Sequence, residues 1–129
     1  MGRVYYNKLV RDNIQHKILS NGEECEVRKI TDAQEFEQEL LKKVVEEAQG
    51  LAQSQSRDSL LDEYADLMAV LDALIQLHEF READIKRALR ENIEKKGLFN
   101  ERHFLHWSSD GKYQSNETPQ GTHENKLIR

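Results

Sequence analysis

Two apolar stripes at helical spacing, separated by one short polar break, most constrain what this chain can become. Phe36, Leu40, Val44, Ala48 and Leu51 recur at steps of three and four, as a helix with a single buried face requires. Residues 53–57 are polar and read as a turn. From about Asp58 the pattern resumes, with Leu60, Tyr64, Leu67, Met68, Leu71, Leu74 and Ile75 on one face of the most apolar segment. Short connections between long amphipathic helices favour antiparallel packing, so the expected fold is an all-α antiparallel bundle of about four helices.

The flanking segments complete that expectation. Six glycines and one proline are few for 129 residues, and β-branched alternation is almost absent. A first helix is expected over residues 8–20, stopped by Asn21-Gly22, a pair suited to a left-handed helix end. Residues 24–30 alternate loosely through Cys25, Val27 and Ile30, so a short strand is possible there. Thr31-Asp32-Ala33-Gln34 has the form of a capping box, with Thr31 as the cap of the second helix. A fourth helix over residues 82–96 places Ile85, Ala88, Leu89 and Ile93 in register and ends at Gly97. The helical domain is therefore expected over residues 1–107, and residues 108–129, which hold the only proline and show no period, as a flexible polar tail.

Composition removes several function classes. With 37% hydrophobic residues the chain can build one core, and with 33% charged residues its surface should be well solvated. No apolar run approaches the roughly 18 residues of a membrane span, and MGRVYYNKLVRD lacks the apolar block of a signal peptide, so a cytoplasmic protein is expected. Cys25, the single cysteine, can form neither an internal disulfide nor a two-cysteine metal site, and is expected as a small apolar filler. A net charge of -5 argues against a nucleic-acid partner, since duplex binding rests on clustered Lys and Arg.

The chemistry is carried by acids on the apolar faces. At about 100° per residue Glu47 falls amid Leu40, Val44 and Leu51, whereas Glu46 points away. Glu63 and Asp66 form an i, i+3 pair whose line continues through Val70 and Leu77, along one edge of the apolar stripe. Three carboxylates directed into one interior repel one another and lose hydration, which costs several kcal/mol for each unpaired ion. Protonation, pairing with Lys or Arg, or a divalent cation would relieve this. Lys43, one turn before Glu47, is the obvious pairing partner. If a cation is used, oxygen donors without neighbouring histidine or cysteine suit Mg²⁺ or Mn²⁺ better than zinc. His16 and His78 are isolated, and His103 and His106 lie beyond the fourth helix, so the histidines form no zinc set.

Four ordered segments resemble the MazG-like nucleotide pyrophosphohydrolases, in particular the small members that open with YNKLVRD. They are Tyr6-Asn7-Lys8-Leu9-Val10-Arg11-Asp12, Lys43-Val44-Val45-Glu46-Glu47, Glu63-Tyr64-Ala65-Asp66 and Lys95-Lys96-Gly97-Leu98-Phe99, the last followed by Arg102 and Phe104-Leu105. The resemblance spans about residues 5–105. It implies an all-α homodimer or homotetramer that cleaves nucleoside triphosphates to monophosphate and pyrophosphate with Mg²⁺, with a role in nucleotide house-cleaning. It also implies a ligand set of ExxE and ExxD, of which Glu47, Glu63 and Asp66 are present, as catalytic and metal-binding residues. The second Glu of ExxE falls on Gly50, and Ala69 stands where an acid is common. Glycine inside a helix calls for a reason: close approach of another backbone, or room for a larger ligand or second cation.

Lys8, Arg11, Lys43, Lys95, Lys96 and Arg102 are the candidate phosphate contacts, because Lys and Arg supply charge-assisted donors. Asn7 could be a helix cap, and Tyr5, Tyr6 and Phe99 are expected either in the core or against a base. Two alternatives stand beside the hydrolase. One is a non-catalytic nucleotide- or protein-binding oligomer that has lost a metal ligand; the other is an enzyme like phosphoribosyl-ATP pyrophosphatase.

Overall fold

The computed structural model describes residues 2–109 and contains four helices and, among those residues, no strand: α1 (Ile14–Ser20), α2 (Ala33–Ala52), α3 (Arg57–Leu77) and α4 (Glu82–Lys96). The expected tail therefore lies outside the described residues from position 110 onward. No described helix is long and apolar enough to cross a membrane. One compact unit ends at Ile85 and a second begins at Lys86.

α1 is shorter than the sequence pattern suggests. Residues 8–11 are not helical, and Asn7, at φ 48°, is in a left-handed conformation and caps nothing. Lys8 and Arg11 reach acids on the second and third helices. The other end behaves as Asn21-Gly22 suggests: Gly22 has φ 78°, its N–H donates to Leu19 O, and the Glu23 N–H donates to Ile18 O. That is a Schellman ending, which needs a residue free to adopt positive φ.

The possible strand at residues 24–30 does not form. A lone extended segment leaves its backbone groups without a ladder partner, so alternation alone cannot make a strand. The segment is tied to α2 through Arg28, which donates two hydrogen bonds to the Glu35 carboxylate. The α2 cap is Asp32 and not Thr31: its carboxylate accepts from the Glu35 N–H at 3.2 Å. α3 begins with a reciprocal box between Ser56 and Ser59, which the sequence pattern does not announce because serine replaces the usual Glu or Gln at the third position.

α2 and α3 are joined by residues 53–56 and pack antiparallel along their length. Leu40 and Val70 are the buried apolar residues of this contact. Of the expected α3 face, Leu67, Leu71, Leu74 and Ile75 are half-buried. Leu60, Tyr64 and Met68 are exposed, and the line Glu63, Asp66, Val70 and Leu77 turns toward α2. α3 is apolar on more than one side, so period alone could not say which side meets the partner. At the far end His78 Nε2 lies 3.2 Å from Glu37 Oε2 and the His78 ring stacks on Phe80.

In the second unit, α4 ends at Gly97, whose φ is 77° and whose N–H donates to Ile93 O. Leu89 and Ile93 of its apolar stripe are exposed. Tyr5, Tyr6 and Phe99 are also exposed, so of the two expected places for them the core is not the one they take.

Candidate metal centre

Antiparallel pairing sets the register that builds the site. Glu47 lies one and a half turns before the end of α2, and Glu63 and Asp66 lie in the second and third turns of α3, on the line facing α2. One carboxylate oxygen from each of the three lies within 4.8 Å of the others, and all three residues are half-buried. The convergence expected from helical phase is present, and it lies on the packed face of α3 and not at its margin.

The cluster is electrostatically under-compensated. Partial burial, and after it the nearby charge of Asp66, push the Glu47 carboxyl above its ordinary value of 4.5; Lys43 opposes the rise, while Glu46 and Glu63 add to it. Arg11 is the cation nearest Asp66, with its Nη1 3.5 Å from Oδ1. Lys43, the expected partner of Glu47, pairs with Glu46 at 3.3 Å. Lys8 donates to the same Glu46 at 2.8 Å, and this hydrogen bond holds the Glu46 carboxyl below 4.5. Glu46 therefore does not simply point away. It gathers the two lysines, and the one sequence signal for this is Lys43 three residues earlier.

Gly50 faces a side chain of the neighbouring helix. A Cβ built on it would lie 2.6 Å from Glu63 Oε2 and 3.2 Å from Glu63 Cδ. The Glu63 carboxylate thus occupies the space over Gly50.

Lys8, Arg11 and Lys43 come together around the acids, whereas Lys95, Lys96 and Arg102 are exposed residues of the second unit. Arg102 has φ 54°, with its N–H donating to Phe99 O. An open apolar recess of about 550 Å³ lies at the start of α3, lined by Leu51, Arg57, Asp58, Leu60, Leu61 and Tyr64. It is next to the acid-bearing turn but contains none of the three clustered acids. His78, whose partner is Glu37, and His16, whose Nε2 lies 3.3 Å from Ser20 Oγ, are both satisfied away from the cluster.

Three oxygen donors from two rigid helices, with no nitrogen or sulfur donor among them, match the ligand preference of a hard divalent cation. No family model, no curated protein and no solved structure matches this chain.

Proposed function

We propose that the chain is a Mg²⁺-dependent nucleoside triphosphate pyrophosphohydrolase, with Mn²⁺ as a second usable cation, that releases nucleoside monophosphate and pyrophosphate. The observation that carries this reading is the convergence of Glu47, Glu63 and Asp66 to within 4.8 Å across the α2/α3 contact. The order of the four sequence segments supports the substrate class.

In this reading Glu47, Glu63 and Asp66 hold the cation. A cation held there would supply charge neutralisation for phosphoanhydride oxygens and polarisation of a water. Whichever of the three carboxylates keeps a free oxygen orients that water and accepts its proton. Arg11, 63% exposed and loosely paired with Asp66, is free to turn and donate to a phosphate oxygen as the triphosphate arrives. Lys8 and Lys43 are committed to Glu46, so they shape the positive rim of the site. Lys95, Lys96 and Arg102 stay candidates for further phosphate contacts.

Self-association into a dimer or tetramer belongs to the same proposal, and the exposed apolar Leu60, Leu61 and Tyr64 offer a surface for it. A cytoplasmic nucleotide-clearing role follows from the substrate class. The decisive experiment is a pyrophosphate-release screen over common and modified nucleoside triphosphates, with phosphoribosyl-ATP included, in Mg²⁺ or Mn²⁺. Release that chelator abolishes supports the hydrolase. Gly50, which leaves the set at three acids, favours one second reading, a non-catalytic nucleotide- or protein-binding oligomer. Thermal stabilisation by nucleotide with no turnover on any substrate would select it.

A further inference from the structure

α3 and α4 each leave an apolar stripe uncovered, and the two stripes have opposite borders. On α3, Leu60, Leu61, Tyr64 and Met68 are exposed along one face, and at about 100° per residue Asp58 and Asp72 fall on its border. That border is acidic, with Arg57 as the one base of the helix. On α4, Leu89 and Ile93 are exposed, and the same turn sets Arg90 and Lys96 beside them while Glu91 and Glu94 point away. That border is basic. The α3 stripe also opens into the recess of about 550 Å³ lined by Leu51 and Tyr64, which has room for apolar side chains of a helix laid over it.

Leu40 and Val70 are the only buried apolar residues among those described, so the chain covers little of its own apolar surface. Exposed apolar patches with polar rims mark association surfaces. A group that fits the α3 face is apolar, helical in its spacing and basic at its edge, and α4 has all three properties. Each copy has both faces, so two copies related by a two-fold axis close both contacts at once. We propose that α4 of one copy lies against the exposed α3 face of a second copy, with Leu89 and Ile93 over the recess and Arg90 and Lys96 toward its acidic border. This pairing rests on the self-association reading above and is independent of the hydrolase chemistry.

The test is charge reversal on each face, read by sedimentation equilibrium of the full chain at low salt. Asp58→Lys/Asp72→Lys and Arg90→Glu/Lys96→Glu should each weaken self-association by about tenfold or more, because like charges then face each other. Mixed in equal amounts, the two variants should associate as wild type does, since each hybrid contact again joins opposite charges. A second measurement reverses no charge: a Cys25→Ser chain with Ala65→Cys and Asn92→Cys, treated with a short bismaleimide, should give a covalent product of twice the chain mass. If circular dichroism shows that a reversal unfolds the helices, the cross-link decides alone. Variants that self-associate like wild type, a mixture that does not recover, or a cross-link closed within one chain overturns the pairing and leaves self-association standing. Wild type that stays monomeric overturns both.

Discussion

Glu46 and Glu47 are neighbours on one helix and have opposite fates. Glu46 accepts from Lys8 and Lys43, and its carboxyl is held low; Glu47 faces Asp66 and Glu63, and its carboxyl is pushed up. Successive residues on a helix point about 100° apart. That turn is enough here to move a carboxylate from a basic rim into an acidic cluster. The rim is a finished ion-pair network. The cluster is unfinished, with three half-buried acids and one guanidinium 3.5 Å from one of them. An arrangement that lacks positive charge beside one that has enough is where a cation would be drawn.

The sharpest way to break this comparison is to neutralise each glutamate in turn. Glu47→Gln is expected to lower pyrophosphate release by at least about 100-fold, since even outer-shell support is worth 10–100-fold in metal affinity or activity. It should leave the metal-free protein as stable as wild type or more so, because one repelling charge has gone. Glu46→Gln keeps an acceptor for Lys8 and leaves the three clustered acids intact, so its turnover should stay near wild type. Steady-state rates for both variants in saturating Mg²⁺ check this. Equal losses from the two substitutions would mean that the cluster has no chemistry the rim lacks.

A second, smaller effect should appear in stability. A cation bound only by the folded chain adds about 2.7 kcal/mol at a hundredfold excess over its dissociation constant. Thermal unfolding in Mg²⁺ and in chelator should differ accordingly for wild type and Glu46→Gln, and the gap should shrink in Glu47→Gln. Coincident wild-type midpoints would leave the cluster without a cation.

Much of this was legible in the sequence, and the exceptions have physical reasons. The bounds of α4 and the stop at Gly22 were visible because glycine's freedom at positive φ is a local property. The acids were found because their phase on each helix is also local. The exposure of Leu60, Tyr64 and Met68 was not legible, because they are as apolar as Leu67, Leu71, Leu74 and Ile75, which are half-buried. The Lys8–Glu46 pair joins residues 38 apart, which no period encodes. Gly50 was visible as a departure, but the group it faces, the Glu63 carboxylate, lies on the next helix.

The pH dependence of the metal-free protein sharpens the comparison further. Glu47 has a folded value above 4.5, so its contribution is fully present below 4.5 and is lost as pH rises through the folded value. Glu46 has a folded value below 4.5, so its contribution is present above 4.5 and is lost as pH falls through the folded value. Denaturant midpoints in chelator should therefore show Glu47→Gln gaining on wild type from acid toward neutral pH. Glu46→Gln should be destabilised at neutral pH and converge on wild type in acid. Parallel curves for the two variants would erase the distinction between rim and cluster.

The smallest effect belongs to the end of the α2/α3 contact away from the acids. There His78 Nε2 meets Glu37 Oε2 at 3.2 Å, with both side chains roughly two-fifths exposed. Exposed pairs are screened and lose side-chain freedom, so a double-mutant cycle on Glu37→Gln and His78→Gln should give a coupling below about 1 kcal/mol. The same variants should leave Mg²⁺ stabilisation untouched, because the helices are already held in register by Leu40 and Val70. A coupling of several kcal/mol, or a loss of Mg²⁺ response, would show that the acid cluster depends on this distant clamp, so that the two ends of the helix pair could not be treated as separate regions.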